Sequence, residues 1–215
     1  MYVLSKLDIE KGIILPEKIT PDIAEIVGIH FGDGCMQKDY RQTYKVSYAL
    51  GTRMLRERKY IEYVKIIFKK TFGFDIRTYV CKNKNAVILY FFSKNLCYYF
   101  NKKLKIPFSP KNDLIIPQYI LENEEFLCRF LKGLFDTDGC FTKQRCLGKY
   151  VYDLAKISIK SRVFAEQIKE SLSLLGMRSY ICSKKKGGYD VTMRRKESFK
   201  LFVEKVSPEK KKWDY

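Results

Sequence analysis

The chain predicts an α+β protein built from two tandem copies of one unit, each running helix, strand, strand, helix, strand, strand, helix. Three observations lead there. Two segments, Ile26-Val27-Gly28-Ile29-His30-Phe31-Gly32-Asp33-Gly34 and Leu131-Lys132-Gly133-Leu134-Phe135-Asp136-Thr137-Asp138-Gly139, share an apolar helical run with a central glycine and a terminal Asp-Gly pair. Downstream of each segment the chain keeps register: an alternating segment, a long amphipathic helix, and then Gly73 or Gly176 at nearly the same interval. Arg77-Thr78-Tyr79-Val80-Cys81-Lys82 is then answered by Arg178-Ser179-Tyr180-Ile181-Cys182-Ser183. A repeat of roughly a hundred residues is domain-sized and not a solenoid period. The boundaries read as 1–104 for the first unit, 105–121 for a linker, and 122–215 for the second unit with a basic tail.

Each element has a local reason. Thr20 and Pro21 start the first motif helix as an N-cap and a first-turn proline. Gly34 and Gly139 stand just past the two motif helices, where a left-handed residue is expected. Residues 44–50 alternate as a strand, 54–71 carry helical amphipathicity up to Gly73, 86–92 form a further strand, and 93–104 a short helix. Pro107, Pro110 and Pro117, with Asn112-Asp113 between them, mark 105–118 as the connection. Asn123 caps the second motif helix, with Glu124 and Glu125 in the first turn where the dipole favours acids. Residues 155–159 read as a strand and Ser161 caps a helix that Gly176 closes. A strand at 189–194 and a helix at 196–206 finish the unit.

Two features of the motifs need a cause. Glycine inside a helix costs ~1 kcal/mol relative to alanine. Gly28 with Gly32, and Gly133 with Thr137, place small residues four apart on one face, which lets two helices meet backbone to backbone. If the motif helices pack on each other, Asp33 and Asp138 emerge side by side. A carboxylate at a helix C-terminus faces the negative end of the dipole, so two together call for a cation.

Composition points to the partner. Lys plus Arg number 42 against 24 Asp plus Glu, a formal charge of +18, while 46% of residues are hydrophobic. That apolar fraction supports a full core and excludes a disordered basic tail. Basic residues spread through predicted strands answer a polyanion, with nucleic acid the leading choice: Lys38, Arg41, Lys45, Lys82, Lys143, Arg145, Lys156, Arg194 and Arg195. Neither end carries a targeting signal and no segment has the ~20 apolar residues of a bilayer span. This predicts an intracellular, cytoplasmic or nucleoid protein with no membrane partner. Seven scattered cysteines with no Cys-x-x-Cys pair argue against a zinc site or a disulfide framework. Cys35, Cys140, Cys81 and Cys182 read as small buried residues carried along by duplication. Tyr98, Tyr99 and Phe100 read as core packing of a terminal helix, with a nucleic-acid stacking platform as the other option.

The paired segments resemble the two signature motifs of the LAGLIDADG homing endonucleases, in the single-chain form with two motifs, and the likeness in motif order, strand pattern and linker covers nearly the whole chain. The second motif keeps both acids. The first has Phe31 in place of the first acid and His30 in place of an aliphatic residue. The acid directly before the last glycine, which carries catalysis in that family, is kept twice, as Asp33 and Asp138. The resemblance implies two αββαββα units about a pseudo-twofold axis, forming a DNA-binding saddle of two antiparallel β-sheets. It implies a monomer with an internal pseudo-dimer that cuts both strands of a long, weakly symmetric DNA site and leaves 3′ overhangs.

On that resemblance Asp33 and Asp138 hold Mg²⁺ or Mn²⁺, with Gly32 and Thr137 counted with the metal site and Gly28 and Gly133 as the helix interface. Lys160, at the end of the 155–159 strand, matches an active-site-edge lysine, and the equivalent place near Leu50-Gly51 has none. Gln42, Lys45, Arg194 and Arg195 stand as phosphate or base contacts. Mg²⁺ binds through one or two carboxylates plus phosphate oxygens and waters, so one Asp per strand is a sufficient protein contribution. The alternative is a non-cleaving intron RNA maturase or DNA-binding regulator of the same fold, for which intron RNA or uncut DNA is the partner.

Overall fold

A computed structural model describes residues 4–39, 43–82, 84–111, 114–146 and 150–212. Arg41, Gln42, Asn112 and Asp113 lie outside the described residues. After a short α1 (Lys6–Glu10), the first unit runs α2 (Pro21–Asp33), β1 (Gly34–Lys38), β2 (Tyr44–Gly51), α3 (Leu55–Phe72), β3 (Arg77–Val80), β4 (Ala86–Phe92) and α4 (Lys94–Lys102). A one-turn α5 (Gln118–Leu121) leads into the second unit. There the order returns as α6 (Glu124–Asp138), β5 (Gly139–Cys146), β6 (Tyr150–Ile159), α7 (Arg162–Leu174), β7 (Tyr180–Ser183), β8 (Tyr189–Met193) and α8 (Lys196–Lys205), ending in a short α9 (Glu209–Lys212).

Each unit forms a four-stranded sheet, ordered β1-β2-β4-β3 in the first and β5-β6-β8-β7 in the second. Every pairing is antiparallel. The sheets match strand for strand, so the sequence repeat is a structural one. One face of each sheet packs on helices through its alternate residues, such as Val46, Tyr48 and Leu50 of β2 and Ala155, Ile157 and Ile159 of β6. The residues between them, among them Lys45, Ser47, Lys156 and Ser158, occupy the other face.

Helix caps agree with the sequence. Thr20 Oγ1 accepts from Ile23 N at 3.3 Å, Asn123 Oδ1 from Phe126 N at 3.0 Å, and Ser161 Oγ from Phe164 N at 3.4 Å. Gly34 and Gly139 depart from expectation: both are extended, not left-handed, because each is the first residue of a strand that leaves the helix without a loop. Glycine is needed there for space. A Cβ on Gly34 would run into the His30 ring, and one on Gly139 into the Phe135 ring. Gly73 and Gly176, past the ends of α3 and α7, are left-handed, at φ 80° and 82°.

Tyr99 and Phe100 lie in the core, and Tyr98 is half-buried with its hydroxyl 3.0 Å from that of Tyr44. This cluster packs; it does not form an open stacking surface. Cys35, Cys81 and Cys140 are only partly buried and Cys182 is exposed, contrary to their reading as buried residues. Cys35, Cys140 and Cys182 fall at strand positions that face away from the helices. Among the described residues no helix is long and apolar enough to cross a membrane.

Candidate active site

The site begins with the two motif helices. Each central glycine accepts the backbone of the other helix: a Cβ on Gly28 would collide with the Phe130 carbonyl oxygen, and one on Gly133 with that of Glu25. At the C-terminal ends the contact continues as Gly32 against the Thr137 side chain, with Asp138 Oδ2 close by. Asp33 and Asp138 therefore leave the helices together. Neither makes an ion pair with another described residue.

Electrostatics register that proximity. Burial, and then the Asp138 charge, push the Asp33 carboxyl up to about 6, with Lys210 and Lys111 pulling the other way. Burial raises Asp138 as well, against the pull of Lys111, Lys210, Lys160 and Lys184. His30, at an aliphatic position of the motif, is not a proton carrier. Its ring is fully buried, its Nδ1 lies 3.0 Å from the Tyr48 hydroxyl, and desolvation drives it down to about 3.

Two lysines near the acids are absent from the residues that the sequence singles out. Lys111 Nζ donates to the carbonyls of His30, Phe31 and Gly32 at 3.0, 3.0 and 2.7 Å, closing the end of α2. Lys210 Nζ donates to the carbonyls of Phe135, Thr137 and Gly139 at 3.4, 3.3 and 2.6 Å, closing the end of α6. A cation here offsets the negative dipole end that makes a terminal acid costly. A signal for both is present: Ser109-Pro110-Lys111 comes after the last helix of unit one, and Ser207-Pro208-Glu209-Lys210 after that of unit two. Lys160, exposed just after β6, is the third cation acting on Asp138. At its counterpart position in the first unit, Gly51, the neighbour is the Glu57 carboxylate.

Among the described residues no cluster of three or more His, Cys, Asp or Glu side chains could by itself hold a metal. Two adjoining carboxylates, both raised chiefly by burial, do fit a hard divalent cation, which takes one or two protein acids and fills its shell with water and phosphate oxygen. The carbonyls of Gly32 and Thr137, counted with the metal site, already accept from Lys111 and Lys210. An ammonium on the same oxygen competes with a metal ion there, which leaves the two acids as the side chains that could hold one.

The basic strand residues divide by face. Lys45 pairs across the first sheet with Gln37 and Phe92, on the face away from the helices, and lies 5.5 Å over the Tyr90 ring. Lys156 occupies the corresponding face of the second sheet, 3.6 Å from Asp190. Arg194 stacks 4.2 Å over Tyr180, whose hydroxyl accepts from Arg195 Nε at 3.3 Å. Lys82 is exposed in the turn after β3. Lys38, Lys143 and Arg145 are exposed but alternate with that face, in register with Met36 and Phe141. They meet a ligand only at the strand ends. Nearest the acids, the first sheet presents Ala49, Ile88 and Tyr79 in one row; the second presents Ser158, Asp190 and Cys182.

This fold and this pair of helix-end acids are what the resemblance to two-motif LAGLIDADG proteins implies. Residues 125–207 match the LAGLIDADG-like domain family. The chain is similar to an uncharacterized protein of Methanocaldococcus jannaschii, 29% identical over 161 residues that make up 74% of this chain and 17% of that protein, so it spans about a sixth of that relative's length. Among solved structures it resembles the homing endonuclease I-DmoI in complex with DNA and Mn, at TM-score 0.60 and 20% identity, covering 86% of this chain and 96% of the other. It also resembles the meganuclease I-SmaMI bound to uncleaveable DNA, at 0.59 and 14% over 88% and 85%. The N-terminal LAGLIDADG domain of WhiA matches at 0.55 and 14% over 96% and 91%.

Proposed function

We propose that the protein is a site-specific endonuclease that cuts both strands of duplex DNA at a long, weakly symmetric target, working as a monomer. The observation that carries this reading is the pair of acids, Asp33 and Asp138, meeting between the two sheets with Lys111, Lys160 and Lys210 around them. The structures of homing endonucleases with DNA and a divalent metal, which share this fold, support it.

Asp33 and Asp138 would hold Mg²⁺ or Mn²⁺, which when bound lowers the pKa of water and neutralises charge on a phosphate. Hydrolysis adds water to phosphorus and breaks the bond to the 3′ oxygen, leaving a 3′ hydroxyl and a 5′ phosphate. The lysines oppose the charge that builds on the phosphoryl and leaving oxygens, at fixed positions, with no reorganisation at the moment of reaction. Lys45, Lys156, Arg194 and Arg195, on or beside the open sheet faces, meet the DNA backbone and base edges. Staggered placement of the two scissile phosphates yields 3′ overhangs.

The test is incubation of the protein with a randomised duplex library, with and without Mg²⁺, sequencing new ends beside an Asp138→Asn control. Metal-dependent staggered cuts at one consensus, absent in the control, are the expected result. Retention of DNA or RNA with no cut overturns the nuclease reading in favour of a maturase or regulator. Affinity should fall steeply with salt through counterion release at several phosphates.

A further inference from the structure

The two helix-capping lysines are alike in sequence but not in what holds them. Lys111 arrives on the connection between the units, where Ser109 docks on β1: its backbone N–H donates to Met36 O at 2.8 Å, and its hydroxyl accepts from Met36 N at 3.3 Å. Lys210 arrives on the segment 207–212 after α8. There the Asp136 carboxylate, 3% exposed, accepts from the backbone N–H groups of Glu209 and Lys210 at 2.9 and 3.0 Å. Glu209 turns inward beside it, 3.2 Å from Lys132 Nζ. Asp136 is the acid that the first motif lacks, and Glu209 is the residue that Ser109-Pro110-Lys111 lacks. The second unit thus has its own anchor for its lysine.

Lys210 also reaches across to the other unit. Lys210 caps the helix of Asp138, yet it lines a cavity of about 150 Å³ together with Asp33, Glu57, Tyr60, Asp136 and Thr137. The Tyr60 hydroxyl, buried, lines the same cavity and has no hydrogen-bond partner among the described residues, so this side of the site is polar. The counterpart of Asp136 in the first motif, Phe31, packs at 5.7 Å on the Phe164 ring, and that flank is closed.

We propose that segment 207–212 is a working strap of the cleft: it delivers Lys210 from the second unit to the half-site of Asp33, and Asp136 is the positioning residue that holds it there. This rests on the nuclease reading. The cut at Asp33 is then made with the help of a lysine from the opposite unit. The two cuts become separable, because that one depends on Asp136 and the strap and the other does not.

The experiment is single-turnover cleavage of a duplex bearing the selected target, labelled on both strands, by the full chain with Mg²⁺. Lys210→Gln keeps a donor for the α6 carbonyls and removes the charge. It should slow one strand by about 100-fold, the scale of losing one fixed electrostatic group, and accumulate a nicked product while DNA affinity stays close to wild type. Asp136→Asn should bias the same strand as Lys210→Gln, and Lys210→Arg should restore it. A purely structural role for the strap predicts a lower melting temperature and equal slowing of both strands. Equal slowing of both strands by Lys210→Gln overturns the proposal. A wild-type protein that cuts neither strand removes the nuclease reading, and this inference with it.

Discussion

The two flanks of the central helix pair occupy equivalent places in the repeat, and they differ in kind. On one flank Glu25 of α2, fully buried, meets Lys132 Nζ at 2.5 Å and the Tyr63 hydroxyl at 2.6 Å. Lys132 in turn reaches Glu209, with Asp136 at 3.8 Å, and Arg129 bridges Glu25 and Asp22. By the internal register of the motifs, the partners of Glu25, Lys132 and Asp136 on the other flank are Phe130, Val27 and Phe31. There Phe31 packs on Phe130 at 5.5 Å and on Phe164 at 5.7 Å. Duplication fixed the backbone approach at Gly28 and Gly133. It left each flank free to find its own solution, one ionic and one aromatic.

The largest effect should come from forcing the flanks to match. Phe31→Asp restores the missing motif acid but removes a buried ring, about 3–5 kcal/mol by analogy with Phe→Ala. It also places a carboxylate among Phe130 and Phe164 with no cation beside it among the described contacts. Chemical denaturation should show a loss of about 5 kcal/mol or a failure to fold. A mild loss would mean that the aromatic flank tolerates charge and that the two flanks do not differ in kind.

Next in size is the ionic flank itself. Lys132→Met leaves Glu25, Asp136 and Glu209 without their shared cation and should cost about 3–5 kcal/mol. Because a buried ion pair can be replaced by packed apolar groups at little cost, Lys132→Met with Glu25→Leu should recover a good part of that loss. If the double variant is no better than the single, Glu25 is held chiefly by Arg129 and Tyr63.

A smaller effect, of opposite sign, tests the acids. The folded protein holds the Asp33 proton up to about 6, while the unfolded chain releases it near 3.8. Ionisation therefore weakens the metal-free fold as pH rises through that window, and the contribution to stability is greatest below it. Asp33→Asn should stabilise the metal-free protein at pH 7 by about 1–2 kcal/mol after allowance for partial exposure, and flatten its pH dependence between roughly 4 and 6. Cleavage runs the other way, failing as pH drops through about 6 because the protonated acid is a poor metal ligand. A melting temperature unchanged in Asp33→Asn would show that the two acids do not repel in the metal-free state.

How much of this is legible in the sequence depends on where the information lies. The repeat, the helix caps at Thr20, Asn123 and Ser161, and the glycine contact are local or periodic, so the sequence states them. Asp33 and Asp138 are legible because motif position and helix end coincide. Gly34 and Gly139 mislead because what they require depends on the His30 and Phe135 rings one turn back, and not on backbone φ. The lysines at 111 and 210 act across 70 residues or more, and their repeated Ser-Pro setting lies in segments that otherwise look like connection and tail. The faces of Lys143 and Arg145 depend on strand register, where a shift of one residue reverses every side chain.

The smallest prediction concerns the starts of the motif helices, where the two units did keep the same solution. Thr20 and Asn123 each satisfy an amide three residues on, at 3.3 and 3.0 Å. Thr20 also precedes Pro21, which lacks an amide proton and already fixes the first-turn geometry. Asn123 has no such help, and its shorter bond is the main organiser of its turn. Thr20→Ala should therefore cost about 0.5 kcal/mol and Asn123→Ala about 1 kcal/mol, within the range measured for such caps. Urea denaturation of the two single variants resolves the order. The reverse order would assign the start of α2 to the Thr20 side chain and not to Pro21, and would mean that even this shared device is weighted differently in the two halves.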